Sequence, residues 1–574
     1  MVRRRRAFSL TRSSPFPLRW RATQTGAPAP PTDAWSAKQQ SLLANEESLA
    51  SPTLRSLLRI LVIIEAFFLA LVVVAPLGGV SQTLSPLARS WPWLLSPARA
   101  LFGSALVDES LPPERGWPAL ALYAALLVGA SCAAGLVIPL CRRRPWAIRG
   151  HVLLALVGAA ALGITCILLP ALPSDDIFSY VLYGRIAAVH GANPLVTTPA
   201  AFGDDPFLRL VFWRGVRSVY GPVWLLLSNG LTQLAQALGG DLAVYTALFK
   251  LLGLAAHLAN AALIWLILSH IAPSRRLLGT LLYAWNPLCL LEFCTSAHND
   301  ALMLTFALLG IYCLVRGWEF PALAALGLSI AVKYVLLALL PLYLVLVARQ
   351  QLGKGLRLRR VALSLVWRLG VVLGVVAVTA LPYWAGPQTL AAILYSPPAQ
   401  QLDNSLLEVL HWPLRGFAQA LGVNRAVAAP IVDTGLKLAG LAAFFALWLR
   451  QLRQVRSLEG LLAAGAWALL AYVVVASGWF WPWYVTWTVA LVALLPWGEV
   501  CVAALLLAGG ALTLYAFQPL YSAGVYGLRA LLIFGPAVAY LTLRHWRPLQ
   551  SLMGRWPLRK LAAPKPNRPA ARSG

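Results

Sequence analysis

Long apolar segments recur along most of this chain, and they limit its fold more than any other feature. Runs of about 18 residues or more, which match the roughly 30 Å hydrocarbon core of a bilayer, follow one another between residues 57 and 543. Of the 574 residues, 59% are hydrophobic and only 12% are charged. Such a composition cannot cover the surface of a water-soluble protein, so the chain belongs in a membrane.

The even distribution of apolar residues predicts one transmembrane domain over residues 56–545. Residues 1–55 carry the basic run Arg3–Arg6, several Pro and Ser residues and no apolar run, which predicts a disordered basic tail. This tail is not expected to be a signal peptide, because the first apolar run begins far beyond its positive start. Residues 546–574 are predicted to form a second basic tail.

The formal net charge of +27 is explained better by the membrane than by nucleic acid. Arg and Lys lie mainly in tails and short loops beside apolar segments, so these loops and both termini are predicted to be cytoplasmic. The seven cysteines lie in or beside apolar segments without CxxC pairs or a His pattern suited to zinc, which predicts neither disulfides nor a structural metal. The main basic clusters are Arg142–Arg144, Arg275–Arg276, Arg349–Arg360 and Arg450–Arg456.

These patterns predict an all-α, polytopic bundle of about 14 transmembrane spans in the cell (plasma or inner) membrane. The segment 222–238 is not counted as a transmembrane span. Its Leu227 and Leu234 share an apolar stripe opposite Asn229 and Gln233, as in a helix that lies on a membrane surface. Counting it would add one span and invert every later loop. With it excluded, loops 173–241 and 385–429 are external. The predicted spans are 57–79, 117–139, 151–172, 242–270, 277–294, 300–316, 319–333, 335–348, 362–384, 430–449, 459–477, 482–496, 499–518 and 525–543.

Two adjacent acids, Asp175 and Asp176, directly follow an apolar span. Like charges at a membrane edge resist ionisation, and a carboxylate with a raised pKa suits a general base that draws a proton from a sugar hydroxyl. Asp176, Tyr180 and Tyr183 share one helical face at i, i+4 and i+7, whereas Arg185 points elsewhere. The alternative is that both acids only cap a helix N-terminus.

A second polar group lies between apolar segments at His298–Asp300, two turns after Glu292. Ionisable residues at a membrane edge are expensive and usually functional or paired, although Asn299 or Asp300 also suits a helix start. Lys333 is a single cation inside an apolar stretch and is followed by Tyr334. It suits neutralisation of a departing phosphate, and snorkelling to the interface is the alternative.

Aromatic residues cluster around Pro482 in the segment Trp479–Trp487. An interfacial aromatic belt explains the cluster, and stacking against a sugar or a polyprenyl chain is the alternative. In the loop 385–429, Asp403 and Glu408 lie among Leu and Trp residues, which indicates an amphipathic lid over a site. Asn404 and His411 belong to the same group.

Several residues between about 150 and 500 form a pattern in a fixed order. They are Ser174, Asp176, Tyr180, Gly184, Arg185, Gly191, Pro194, Tyr220–Pro222, Asn286–Pro287, His298–Asp300, Lys333–Tyr334 and Trp481–Tyr484. The pattern resembles the bacterial polyprenyl-phosphate-mannose-dependent mannosyltransferases, which are membrane glycosyltransferases of the GT-C superfamily. One departure is Leu195, which stands where an aromatic residue often follows the proline.

The resemblance implies a GT-C-like fold and an inverting transfer of a sugar, expected to be mannose, at the external membrane face. It implies a polyprenyl-phosphate donor, a glycolipid or glycan acceptor, contact with membrane lipids and no nucleic acid, and it leaves the use of a divalent metal open. Asp176 stands at the position of the catalytic base and Asp300 at that of a second acid. Arg185 and Lys333 are candidate phosphate contacts. The other predicted substrate-binding residues are Asp175, Tyr180, His298, Tyr334, Trp481 and Tyr484.

Two other functions stay open at this point. A transporter or flippase for a lipid-linked sugar also needs many spans, a cation and an amphipathic gate, but the sequence has no internal repeat of the kind common in transporters. A membrane scaffold has no need for ionisable residues at the external edge. The glycosyltransferase hypothesis accounts for those residues.

Overall fold

The computed structural model describes residues 53–78, 80, 83–108, 113–143, 149–389, 401–517 and 523–546. Most of the predicted tails, and residues 390–400 of the second predicted external loop, lie outside these ranges. The regular secondary structure of the described part is helical except for a ribbon of two short antiparallel strands, β1 (Thr83–Leu84) and β2 (Ala171–Leu172). The predicted all-α fold is therefore confirmed.

The helices follow the apolar segments of the sequence, and prolines or polar caps interrupt them. Short 3₁₀ turns lie at Pro92–Leu95, Pro199–Ala201, Leu208–Leu210, Pro273–Arg275, Tyr334–Ala338, Leu381–Tyr383 and Pro482–Tyr484, and π-helical turns at Leu291–Thr295 and Tyr472–Ala476. The α-helices are α1 (Leu54–Val74), α2 (Pro86–Ser90), α3 (Ser96–Phe102), α4 (Ser104–Asp108), α5 (Pro113–Gly135), α6 (Val137–Arg143), α7 (Arg149–Ile167), α8 (Asp176–Ala188), α9 (Pro222–Ala237), α10 (Leu242–Ile271), α11 (Arg276–Ala284), α12 (Pro287–Leu290), α13 (Asp300–Val315), α14 (Glu319–Val332), α15 (Leu339–Gly353), α16 (Leu358–Ala380), α17 (Leu406–Ala420), α18 (Arg425–Leu452), α19 (Leu458–Ala471), α20 (Val485–Val492), α21 (Glu499–Leu512), α22 (Leu514–Phe517) and α23 (Ala523–His545).

Ten helical segments of the described ranges are long and apolar enough to cross a membrane, or eleven if one bent pair is a single span. The chain is therefore a multi-pass membrane protein, and ten of the predicted spans coincide with these segments. The predicted count of about 14 is not confirmed. The ten segments are Leu54–Val74, Gly116–Arg143, Gly150–Ile167, Leu242–Ile271, Tyr334–Gly353, Leu358–Tyr383, Arg425–Leu452, Leu458–Ala476, Glu499–Phe517 and Val525–His545.

The four other predicted spans are short or broken helices. Helices α13 and α14 have 16 and 14 residues, fewer than the about 20 that a bilayer core requires. The predicted span 277–294 bends by 50° where Asn286 caps α12 and Pro287 begins it. Pro482 likewise starts a 3₁₀ turn, which leaves only eight residues for α20.

Helix α9 is not one of the candidate spans, in agreement with its exclusion from the predicted spans. It begins at Pro222, because a proline is suited to the first position of a helix. Its small polar residues Ser228 and Thr232 are buried against α8, while Leu234 is exposed. Helix α8 thus forms one wall of the site described below, and α9 packs behind it.

Candidate active site

A cavity of about 690 Å³ lies between the loops that follow α7, α14 and α19. Its volume falls within the roughly 300–1,000 Å³ of small-molecule sites. Carboxylates, two cations and a row of aromatic rings line it. Six predicted site residues line this cavity, namely Asp175, Asp176, Lys333, Tyr334, Trp481 and Tyr484.

The β1–β2 ribbon leads directly into Ser174–Asp176 and so holds the two acids at the cavity wall. Asp175 occupies the N-cap position of α8, but its side chain makes no capping hydrogen bond to the helix. The amide of Asp176 instead donates to Ser174 Oγ at 3.3 Å, and the Tyr220 hydroxyl donates to Asp176 Oδ2 at 3.3 Å. The capping alternative therefore does not account for the Asp176 carboxylate, which faces the cavity.

The surroundings of Asp176 make its carboxyl a weaker acid than usual. Burial raises its pKa to about 6, and the charges of Asp175 and Asp300 act in the same direction. The charge of Lys333 and the hydrogen bond from Tyr220 partly oppose this rise. A carboxylate of this pKa is ionised at neutral pH and still accepts a proton, as a general base requires.

Lys333 and Asp300 form an ion pair at the edge of the same cavity. Lys333 Nζ donates to both carboxylate oxygens of Asp300 at 2.9 Å, and Trp487 Nε1 donates to Oδ1 at 2.5 Å. Asp300 is fully buried and does not line the cavity, whereas 18% of the Lys333 side chain is exposed. Asp300 therefore positions Lys333, and the ammonium lies between its partner and the cavity.

The cavity side of Lys333 is aromatic. Its Nζ lies 5.3 Å from the Tyr484 ring centroid and 5.5 Å from that of Trp487, within the range of cation–π attraction. Trp483, Tyr484 and Trp487 are each less than 10% exposed. These rings enclose the cation instead of facing lipid, which is not the position that an aromatic belt predicts.

His298 lies behind this aromatic wall. Its ring stacks on Trp483 with 3.9 Å between centroids, and its Nε2 lies 3.3 Å from Glu292 Oε2. Its Nδ1 is 3.5 Å from the hydroxyl of Tyr180, whose ring packs edge-on against Tyr220. His298 and Tyr180 do not line the cavity but support the residues that do.

The comparisons with known proteins agree with this architecture. Residues 120–349 match the model of the MptA/B family, described as alpha-(1->6)-mannopyranosyltransferase, N-terminal domain. The chain carries a mannosyltransferase domain of this family. No curated protein and no solved structure matches the chain. The family predicted from the sequence is thereby confirmed, and a mannosyltransferase requires a mannose donor and an acceptor.

The mannosyltransferase domain contributes only part of the cavity. Asp176, Tyr220 and Lys333 fall within residues 120–349, whereas the aromatic row Trp479–Trp487 and Arg529 come from the remainder of the chain. The two parts meet at the cavity. In the described part of the chain, His, Cys, Asp and Glu side chains do not assemble in groups of three that could hold a metal ion.

Arg185 lies away from the cavity of the mannosyltransferase. Its Nε donates to Asp205 Oδ2 at 2.9 Å, its Nη1 donates to Tyr245 Oη at 3.0 Å, and its guanidinium lies over the Phe207 ring. His190 Nε2 lies 2.8 Å from the same Asp205 oxygen. These contacts hold the irregular loop between α8 and α9 against α8. We therefore no longer propose Arg185 as a phosphate contact.

Residues that the sequence-based site prediction omitted also line the cavity. Tyr220 is one, although it was part of the family pattern, and Arg529 is another. Arg529 is a single cation among apolar residues of a candidate span, which is the same signal that singled out Lys333. Trp213 also lines the cavity, and its loop carries no comparable signal. Asp403, from the segment predicted to be an amphipathic lid, lines the cavity too.

The position of Tyr220 depends on the neighbouring glycine. The Gly221 amide donates to the carbonyl of Val332 at 3.0 Å, and a Cβ on Gly221 would lie only 2.1 Å from the carbonyl oxygen of Ala331. This close approach brings Tyr220 next to the segment that leads into Lys333. Backbone atoms of Ala331 and Val332 leave no space for a methyl group.

We expect Gly221→Ala to lower stability by roughly 1–3 kcal/mol, because overpacking forces the backbone to shift. It should also reduce transfer activity, because the shift separates Tyr220 from Asp176. Gly230→Ala lies in helix α9, which begins directly after Gly221, and has nothing within 4 Å of its new Cβ. It is the matched control and should leave the melting temperature unchanged or slightly higher. Thermal unfolding in detergent gives the melting temperature of each variant. Equal melting temperatures of Gly221→Ala and Gly230→Ala would contradict the prediction.

Proposed function

We propose that this protein transfers mannose from a polyprenyl-phosphate carrier to a glycolipid or glycan acceptor at the external membrane face, with inversion at the anomeric carbon. The observation that carries the proposal is that Asp176 and Lys333 line one cavity, which combines a carboxylate of raised pKa with a cation. A general base for the acceptor and a cation beside the leaving phosphate are what a single displacement needs.

In the proposed reaction, an acceptor hydroxyl attacks the anomeric carbon while Asp176 removes its proton. The bond between the anomeric carbon and the phosphate oxygen breaks, and polyprenyl phosphate departs with the bonding electrons. Tyr220 donates to Asp176 Oδ2 and so orients the carboxylate towards the acceptor. The proton ends on the Asp176 carboxylate. The new glycosidic bond has the anomeric configuration opposite to that of the donor.

Lys333 is proposed to stabilise the departing phosphate. An ammonium has three N–H donors, and Asp300 accepts through its two oxygens, so a phosphate on the cavity side is able to accept another hydrogen bond. The ion pair holds the Lys333 ammonium in place before the donor arrives. Preorganised charge of this kind is typically the largest contribution to stabilising a transition state.

Apolar residues in the cavity lining suit the polyprenyl chain of the donor. Val335 and Ala338 follow Lys333 along the chain, and Phe444, Ala468 and Leu469 also line the cavity. We propose that the lipid tail packs on these residues and that its phosphate lies next to Lys333.

Contacts between basic loops support an orientation with both termini in the cytoplasm. Arg349 Nη1 donates to the carbonyls of Leu452 and Val455, at 2.6 and 3.0 Å, so the basic segments after α15 and α18 lie at one end of the bundle. Lys333 precedes the candidate span Tyr334–Gly353, and 20 helical residues extend about 30 Å. The positive-inside rule assigns the Arg349 end to the cytoplasm and therefore the cavity to the external face.

The configuration of the product tests this proposal. Purified protein in lipid vesicles is incubated with a β-linked polyprenyl-phosphate mannose and a mannosyl glycolipid, and the anomeric configuration of the new linkage is determined by NMR. We expect an α linkage. A β linkage would contradict the single displacement, and absence of any product would contradict the transferase function.

The pKa of Asp176 makes a further prediction about pH. Because protonated Asp176 cannot accept the acceptor proton, kcat/KM should fall as the pH drops through about 6. Asp175→Asn removes a negative neighbour that raises the pKa of Asp176, so it should shift this acidic limb to lower pH. Steady-state rates across the weakly acidic range measure both profiles. If Asp175→Asn did not shift the acidic limb of the kcat/KM profile, a group other than Asp176 would be responsible for that limb.

A further inference from the structure

A second polar group lines the cavity outside the matched mannosyltransferase domain. It consists of Gln401, Asp403, Asn404 and Arg529. The segment 401–404 precedes α17, and Arg529 lies in α23, so these residues come from separate elements of the C-terminal part. Nothing in the reaction described above uses them.

The backbone holds Asp403 rigidly at the cavity wall. Its amide donates to the carbonyl of Gly478 at 2.7 Å, and its carbonyl accepts from the amide of Phe480 at 2.9 Å. These two bonds make a parallel bridge between Asp403 and Trp479. Because the main chain is fixed on both sides, a change in the Asp403 side chain leaves this bridge intact.

The next residues stabilise the turn at the start of α17. Asn404 has a positive φ of 55°, its amide donates to Glu408 Oε2 at 2.6 Å, and the amide of Glu408 donates to Ser405 Oγ at 3.2 Å. The Ser405–Glu408 spacing is that of a capping box. Arg529 Nη1 donates to Asn404 Oδ1 at 3.3 Å, and Arg529 Nη2 donates to the carbonyl of Phe517 at 2.7 Å. These polar groups are therefore fixed before any ligand binds.

A row of aromatic rings separates this group from Lys333. Trp487 and Tyr484, beside Lys333, stack with centroids 4.6 Å apart. From Tyr484 the row continues through Trp483, Trp481 and Trp479, with successive centroid distances of 5.9, 5.1 and 6.0 Å. Trp479 is bridged to Asp403, and the ring of Trp213 lies 5.7 Å from Trp479. Lys333 and Asp403 thus lie at opposite ends of one row.

The row also contains an unused donor. Among the described residues, the buried indole N–H of Trp481 has no hydrogen-bond partner, although Trp481 lines the cavity. A buried donor without a partner is unfavourable in an empty site, and a ligand hydroxyl satisfies it.

We propose that Asp403, Asn404 and Arg529, together with Trp479 and Trp481, form a subsite for a sugar ring of the acceptor. This inference rests on the proposed function. Sugars present hydroxyls that donate to carboxylates and accept from guanidinium and indole N–H groups, and C–H faces that pack on aromatic rings. The donor phosphate is assigned to Lys333, so the polar group at the other end of the row serves the acceptor. Acceptor recognition then resides in the C-terminal part of the chain.

The test compares Asp403→Asn with Glu408→Gln in the purified full-length protein. Glu408 is a neighbouring carboxylate that does not line the cavity, and glutamine preserves the capping box. Octyl mannoside and octyl α-1,6-dimannoside serve as acceptor probes. Asp403→Asn should raise the acceptor KM by about 10- to 100-fold, because a hydrogen bond to a charged group is lost, with little change in the donor KM. Glu408→Gln should keep both constants.

Three results would overturn the subsite. These are an unchanged acceptor KM in Asp403→Asn, an effect on the donor KM instead, and an equal loss in Glu408→Gln, which would indicate a role in folding only. Equilibrium binding of labelled octyl dimannoside, measured without donor, separates the subsite from the reaction. If the wild type binds the dimannoside but transfers nothing, the proposed function fails and the subsite stands. If it transfers but Asp403→Asn binds the probe as well as the wild type, the subsite fails alone.

Discussion

Asp176→Asn should lower kcat by roughly 10²–10⁴-fold while the protein stays folded. Asparagine has nearly the same shape as aspartate and still accepts the hydrogen bond from Tyr220, but it cannot take a proton from the acceptor. The substitution therefore removes the base and retains the geometry. Initial rates of mannose transfer from the lipid donor, at saturating donor and acceptor, measure the effect.

A matched control lies in the same predicted external loop, residues 173–241. Asp204 is an exposed carboxylate between α8 and α9, so Asp204→Asn changes the charge of the loop by the same amount without touching the cavity. It should keep the wild-type rate. If Asp176→Asn retained most of the activity, or if Asp204→Asn lost as much, Asp176 would not be the base.

Lys333→Met should abolish most transfer and also destabilise the protein. Asp300 is fully buried, and removal of one partner from a buried ion pair typically costs about 3–5 kcal/mol because the remaining charge has no counterion. Loss of the charge beside the leaving phosphate should lower the rate by about 10²–10³-fold. Melting temperature and transfer rate are measured on the same preparation.

The double variant Lys333→Met/Asp300→Asn separates the two effects. Asparagine at position 300 removes the unpaired charge and still accepts a hydrogen bond from Trp487, so most of the stability should return. Activity should not return, because the cation is still missing. A double variant that is both stable and as active as the wild type would rule out a role for Lys333 in the reaction.

The membrane architecture was largely predictable from the sequence, because the hydrophobic thickness of a bilayer determines the length of a span. The predicted number of spans is not confirmed where an apolar helix is short or bent. Helices α13 and α14 are as apolar as the candidate spans but end after 16 and 14 residues, and the bend at Asn286 depends on a local cap. Hydropathy alone does not distinguish such helices from spans.

The charged residues of the candidate site were predictable where they follow or interrupt an apolar segment. Asp176 and Lys333 carry that signal, and both line the cavity. The pairing of Arg185 with Asp205 depends on how an irregular loop folds back on α8, which no periodicity describes. The meeting of Asn404 with Arg529 joins segments far apart in the chain, and a single sequence has no record of such contacts.

Transfer of labelled mannose by the purified wild-type protein tests the central claim most directly. Vesicles are given polyprenyl-phosphate mannose as the sole sugar donor, together with a mannosyl glycolipid. We then determine which molecule carries the label and on which side of the membrane it lies. We predict that label becomes covalently attached to the glycolipid and that polyprenyl phosphate is released in equal amount. Label that stays on polyprenyl phosphate and only moves between the two leaflets would contradict the account and identify a flippase.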